Sequence, residues 1–303
     1  MGVISSFGDE PGNPVIDRER CTLCGACAAI CPVEVLTRST TGIAIDNSEK
    51  FGCITCGQCM MVCPVDCISV TGRNMHPDDI VALPQPGERA TADQVAALLL
   101  ARRSIRSFSA DEVPRELVDR VLEVAATAPM GIPPWEVGVT VFHGRDKVAE
   151  LTRDTADAYR GFLKLFDNVA MKQLSRLFMK RSVWEQFQTF ILPLARLQVD
   201  GQSRGIDYVL YNAPVALMFH TTPYTAEADA IIACTYAMIA AESMGLGTCM
   251  IGCSAPMVGR RRELLKKYGL PEGNSPKIVL IMGYHESPHR KAIRRQFQSL
   301  NYY

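Results

Sequence analysis

The chain carries no net charge: 32 Lys and Arg balance 32 Asp and Glu, and no dense basic run appears. Phosphate-driven nucleic-acid binding therefore has no electrostatic footing. No stretch reaches the roughly 20 uninterrupted apolar residues that a membrane span requires. The nearest approach, YVLYNAPVALMFH, is broken by Asn212 and Pro214. The opening MGVISSFGDEPGNPVIDRER lacks a basic end followed by an apolar run, so it does not read as a secretory signal. Histidine is scarce, and His76, His143, His220, His285 and His289 are scattered without ligand spacing. No acid–base dyad is visible, and no catalytic residue is named from the sequence. These absences lead to the expectation of a soluble, cytoplasmic protein without nucleic-acid or membrane partner. Its 303 residues are enough for about two domains.

What the chain does have is cysteine, twelve in all. Eight fall in two copies of one pattern, CTLCGACAAICPV from Cys21 and CITCGQCMMVCPV from Cys53. Both read C-x2-C-x2-C-x3-C-P, the spacing of two-cluster iron–sulfur proteins. Three cysteines at intervals of three wrap a loop around one face of a [4Fe–4S] cube. The fourth lies past a turn and ligates the other cube, and the proline after it redirects the chain. Gly25 and Gly57 occupy matching places where the backbone approaches inorganic sulfide. Zinc is the alternative, but zinc sites use separated CxxC pairs rather than triplets with an exchanged fourth ligand.

Aligning the copies places Cys67 where the first has Val35, so Cys67 reads as a small packing residue. Between the runs, VLTRSTTGIAID alternates around Thr41-Gly42 and reads as a hairpin. This segment resembles a bacterial-type ferredoxin over roughly residues 10–72. The resemblance implies that Cys21, Cys24, Cys27 and Cys63 hold one cluster, and Cys53, Cys56, Cys59 and Cys31 the other. Clusters move single electrons and do no organic chemistry, so the rest of the chain is expected to hold what they feed.

After Val70 come turn residues and prolines to about residue 90, read as a linker. Thr91 is a helix cap in TADQVAALLLARRSIRSF. A second helix follows in DEVPRELVDRVLEVAATA, with Pro114 in its first turn and a stripe of Leu117, Val121, Leu122 and Ala125. EVGVTVFHG, APVALMFHT, GTCMIG and KIVLIMGYH read as strands, separated by a helical tract at 146–200 and by the buried helix ADAIIACTYAMIAAESMG. Strands alternating with helices imply one central sheet.

Within ARRSIRSF, the five residues 102–106 concentrate three guanidinium groups and the Ser104 hydroxyl, a grip suited to phosphate. RRSIRSF, ATAPMGIPPWEV, AAESMGLGTCMIG and IMGYH with the later RR, in that order, resemble the nitroreductase family of FMN enzymes over about residues 92–298. The resemblance implies an α+β sandwich that dimerises with FMN across the subunit interface. It assigns Arg102, Arg103, Ser104 and Arg106 to the FMN phosphate and ribityl end, and Pro129, Met130 and Gly131 to the ring. It places the backbone of Ile251 and Gly252 near the ring, and Arg294 on the phosphate with Arg295 as its substitute. The loop PMGIPPW lacks the serine and asparagine common in the family, which weakens the expectation of ordinary nitroaromatic activity.

The expected fold class is thus α+β, with a two-cluster ferredoxin-like domain and linker at 1–90 and a nitroreductase-like sandwich at 91–303. Cys253 is read as a structural thiol beside the flavin loop, and Cys234 and Cys249 as core. The tract at 146–200 is read as core or dimer packing, or as a lid over an apolar pocket. The expected function is transfer of electrons from two [4Fe–4S] clusters to FMN for two-electron reduction of a small organic acceptor. The expected partners are a second copy and a low-potential donor such as ferredoxin. An electron-transfer module serving a protein partner, and a reductive dehalogenase or ene-reductase on the same scaffold, are the other readings.

Overall fold

The computed structural model describes residues 12–47, 52–131, 136–287 and 289–303. The cysteine runs lie among β1 (Asn13–Ile16), α1 (Ala26–Ile30), β2 (Leu36–Ser39), β3 (Gly42–Ile45), α2 (Gln58–Met61) and β4 (Ile68–Thr71). β1 pairs antiparallel with β4, Ile16 opposite Ile68. β2 and β3 form the expected hairpin, but its turn is Thr40-Thr41, because Gly42 already pairs with Ser39. A small core of Ile16, Leu36, Ile43, Met60, Ile68 and Val70 binds the strands to the cysteine loops, and Cys67 packs within it.

The internal repeat is written into the backbone. Leu23 and Thr55 (φ 58 and 54), Gly25 and Gly57 (φ 79 and 70), and Glu34 and Asp66 (φ 54 and 48) are all left-handed at matching positions. Such residues turn the chain sharply, and glycine takes that conformation without the penalty a Cβ brings. Gly25 and Gly57 stand directly before α1 and α2. Their conformation gives a second physical reason for glycine there.

Short 3₁₀ turns at Pro77–Asp79 and Pro86–Glu88 follow. Thr91 then caps α3 (Ala92–Ala101): its Oγ1 accepts from the Gln94 N–H at 3.3 Å while Gln94 Oε1 accepts from the Thr91 N–H at 2.8 Å. In α4 (Arg115–Ala125) Pro114 sits just outside the first turn as the cap residue. Val121 and Ala125 are buried as expected, joined by Val118, and Leu117 and Leu122 pack against the same core at the margins of the stripe.

The remaining elements are β5 (Val137–His143), α5 (Arg145–Phe166), α6 (Val169–Phe178), α7 (Arg181–Gln186), a π-helical turn at Phe187–Ile191 and α8 (Leu192–Ser203). Then come β6 (Val215–Thr221), α9 (Glu227–Ser243), β7 (Leu246–Ile251), α10 (Ser254–Gly259), α11 (Arg262–Lys267) and β8 (Ser275–Tyr284). Four strands form one antiparallel sheet in the order β5-β6-β8-β7. Every residue of β6 is buried, so both sheet faces are covered. Val215, Leu217 and Phe219 pack with α4 and α9; Ala216 and Met218 face the opposite core with Leu151 of α5, Val258 of α10 and Leu264 of α11. That alternation is the period of two expected of a strand buried on both sides. Among the described residues no helix is long and apolar enough to cross a membrane.

Candidate functional site

The eight patterned cysteines divide between two cavities. Cys21, Cys24, Cys27 and Cys63 line one, with Cys67 beside them. Cys31, Cys53, Cys56 and Cys59 line the other. Each triplet thus meets the fourth cysteine of the other copy. Two cavities, each lined by three cysteines of one run and the fourth of the other, suit two cubes with an exchanged ligand. The Cys67 N–H points at Cys63 Sγ, 3.3 Å away, so the packing residue also supports a ligand position. Burial pushes the Cys59 thiol up to about 12, so ligation there requires a metal strong enough to displace the proton.

The arginine segment follows α3 as an extended run along β7. Ser104 bridges Thr248, and the Ile105 N–H donates to the Thr248 carbonyl at 2.8 Å. Gly247 makes this approach possible, since a Cβ there would stand 2.7 Å from Ile105. Alternation along the run buries Ile105 and leaves Ser104 and Arg106 exposed on the other side. Burial raises the Cys249 thiol, and Arg106, Ser104 and Arg102 act on it in the opposite sense, which brings those three groups to one place. Arg103 turns away: its Nη1 donates to the Arg102 carbonyl at 3.2 Å, and its buried Nη2 has no acceptor.

Arg106 lies over the Tyr211 ring, 5.7 Å from its centre, and both border a cavity of about 970 Å³. Ile251, Gly252 and Cys253 form one side of this cavity. Nothing stands within 4 Å of the place where a Gly252 Cβ would be, so the cavity meets bare backbone there. Another part of the wall is aromatic. Phe162, Phe166 and Phe187 come from α5 and the π-helical turn, with ring centres 4.7 to 5.8 Å apart. This part of the 146–200 tract therefore walls the cavity, while Leu177 and Phe178 of α6 are exposed. Cys253 also lines the cavity, and burial raises its thiol. Cys234 and Cys249 are core residues.

Pro129, Met130 and Gly131 are elsewhere. They follow α4, and the Gly131 N–H donates to Asp229 Oδ2 at 3.1 Å, tying the segment to the start of α9. They line a cleft with Cys56, Gln58 and Met61 of the cysteine-rich part, not the cavity beside Gly252. Arg294 and Arg295 are exposed in a C-terminal arm without regular structure and do not line the cavity either. The rest of the PMGIPPW loop, residues 132–135, lies outside the described residues. Sequence reasoning named Arg106, Ile251 and Gly252 but missed Tyr211, Gln198 and Arg260, which join the cavity from distant segments with no local motif.

A cysteine-lined module coupled to a helix-covered antiparallel sheet with a large apolar cavity has the build of an oxidoreductase. The nitroreductase family model matches residues 99–284, and this protein belongs to the nitroreductase family. A 4Fe-4S dicluster domain matches residues 13–64. The FMN reductase (NAD(P)H) of Bacillus subtilis (strain 168) is 25% identical over 218 residues, covering 69% of this chain and 73% of that protein. A Bacteroides fragilis nitroreductase crystallised with bound FMN is similar in structure, with a TM-score of 0.50 at 20% identity, over 69% of this chain and 98% of that one. An FMN-bound nitroreductase from Desulfitobacterium hafniense gives 0.50 at 19% identity, over 69% and 97%. At these identities the likeness establishes the fold.

Proposed function

We propose that this protein is an FMN-dependent reductase that receives single electrons through two [4Fe–4S] clusters and reduces a small, flat, largely apolar acceptor by two electrons. The observation that carries the reading is the cavity of about 970 Å³, where the bare backbone of Gly252, the Arg106 guanidinium and an aromatic wall face one space. Arg102, Ser104 and Arg106 grip the phosphate and ribityl end, and the orphaned Nη2 of Arg103 supplies a further donor at the margin. Ile251 and Gly252 present backbone to the ring. Phe162, Phe166 and Phe187 exclude water and favour planar apolar ligands.

Two sets of four cysteines, Cys21, Cys24, Cys27 and Cys63, and Cys31, Cys53, Cys56 and Cys59, hold the clusters. When bound, these groups supply one-electron delivery and two-electron reduction respectively; the protein positions them and shields the site. Pro129, Met130, Gly131 and Arg294 complete the flavin site from a second copy in a homodimer. The apolar cavity favours a small acceptor over a protein one.

The test is anaerobic. Purified protein is expected to contain one FMN and about eight irons per chain, four for each cube. Stopped-flow bleaching of the flavin by a reduced ferredoxin is expected to outpace bleaching by NADH or NADPH, and to collapse when Cys21 and Cys24 are replaced by serine. Zinc without sulfide, or equally fast bleaching by pyridine nucleotide with and without the clusters, would overturn the reading.

A further inference from the structure

The cysteine set that faces the sheet domain is specific. Cys56 lines two clefts shared with the segment 126–131, one with Pro129 and Gly131 and one with Ala128 and Met130. Cys21, Cys24, Cys27 and Cys63 line neither cleft, and Cys24 is exposed. The second set is therefore the exit of the wire, and the first is the end open to a donor.

The exit meets the sheet domain on the α4 and α9 side, away from this chain's own cavity. Gly131 is tied to the α9 side of the sheet and precedes edge strand β5, whereas Ile251 ends the other edge strand, β7, and packs on the α5 and α10 side. β6 and β8 lie between the two edges. At about 4.8 Å per strand the edges alone are roughly 14 Å apart, before the helix layer is counted. Single-electron transfer weakens exponentially with such distance.

We propose that the set Cys31, Cys53, Cys56 and Cys59 delivers electrons to the flavin cavity of a second copy of this chain rather than to its own. The inference rests on the function proposed above. α3 and α9 touch each other. α3 runs directly into Arg102–Arg106, and the first turn of α9 carries Asp229, which anchors Gly131. Both helices leave apolar side chains uncovered: Leu99 and Leu100 on α3, Ile231 on α9. In a two-fold interface residue i meets j and j meets i. Pairing through α3 and α9 therefore carries the arginine run of one chain to segment 126–131 of the other, with Cys56 behind it. Two molecules of a reduced one-electron carrier protein each lose one electron. The acceptor gains both, with two protons from water.

The test is a heterodimer of differently tagged chains. One carries Cys53→Ala with Cys56→Ala; the other carries Arg102→Ala with Arg106→Ala. If wiring crosses between chains, the flavin kept by the first chain faces the intact clusters of the second. Bleaching by reduced ferredoxin then proceeds at the wild-type rate with about half the amplitude. Wiring within a chain leaves the heterodimer as slow as the Cys53→Ala, Cys56→Ala homodimer, and overturns the inference. If that homodimer itself bleaches at the wild-type rate, the proposed function fails first and takes the inference with it. A readout independent of cofactor turnover uses a photo-crosslinking residue at Thr127 in otherwise wild-type protein mixed from light and heavy-isotope chains. Adducts joining chains at Ile251–Arg260 are expected; adducts confined to one chain refute the proposal.

Discussion

Gln198 Nε2 lies 3.2 Å from Cys253 Sγ, and the other end of the same amide, Oε1, is buried without a partner at the cavity wall. Gln198 is only 1% exposed. An unsatisfied buried acceptor costs about 1–3 kcal/mol, and an N–H or O–H on the acceptor molecule proposed above would satisfy it. Gln198→Leu is expected to leave turnover of purely apolar acceptors within a factor of about three. It should reduce kcat/KM about tenfold or more for acceptors carrying an N–H or O–H. A matched pair, such as a nitrophenol and its methyl ether, measures this. An unchanged ratio between the two would show that Gln198 does not read the substrate.

The neighbouring thiol is expected to be quiet. Burial raises Cys253 above its ordinary value, and only the Gln198 amide and nearby polar contacts oppose that. The nucleophile is the thiolate, so alkylation by iodoacetamide at neutral pH should be slow at Cys253 and should still be rising about tenfold per pH unit as the pH reaches 9. Peptide-level mass spectrometry in anaerobic protein reads this site apart from the other cysteines. Fast labelling at pH 7 would mark Cys253 as an activated thiol and would contradict the burial argument.

The cysteine module was legible because cluster ligation is a local geometric demand. Spacing, the exchanged fourth cysteine and both glycines can be read from one short pattern, and Gly25 and Gly57 do take the conformation glycine favours. The sheet domain was legible as elements, with Thr91 capping where expected. The cavity was not. Tyr211, Gln198 and Phe187 meet only through the packing of the loop at 207–212, α8 and the π-helical turn against α5, and no local period encodes that meeting. Motif order assigned Pro129–Gly131 and Ile251–Gly252 to one flavin site across a subunit interface; that the two segments lie toward opposite edges of the sheet within one chain is not encoded in their order. Likewise Arg103 belongs to the same motif as its neighbours, but its side chain turns back to the Arg102 carbonyl.

His220 predicts an acid limit to stability. Its ring fills the space beside Gly138, where a Cβ would stand 2.1 Å from Cε1, and Asn274 Nδ2 lies 2.9 Å from Nδ1. Burial lowers its pKa below the ordinary 6.5. The folded state therefore holds the neutral ring after the unfolded state has begun to take up a proton. Its contribution is fully present above about pH 6.5 and is lost as the pH falls below that. Thermal midpoints of the intact protein should drop from pH 7 to pH 5, and His220→Gln should reduce the drop. Parallel curves for the two proteins would assign the acid sensitivity to other groups.

The phosphate grip proposed above assigns unequal weight to the arginines of one motif. Arg102, Ser104 and Arg106 converge near Cys249, whereas Arg103 bonds to backbone. A hydrogen bond to a charged group contributes about 1.5–3 kcal/mol, so losing two of them amounts to at least about a hundredfold in affinity. Arg102→Ala with Arg106→Ala should raise the Kd for FMN by that factor while iron content stays unchanged. Arg103→Ala, which removes only a marginal donor, should shift it less than about tenfold. Titration of flavin-stripped protein, followed by quenching of FMN fluorescence, gives all three constants. Full flavin occupancy in the double variant at micromolar FMN would place the grip outside Arg102 and Arg106. An Arg103→Ala effect as large as that of the double variant would mean that Arg103 swings into the site when the phosphate binds.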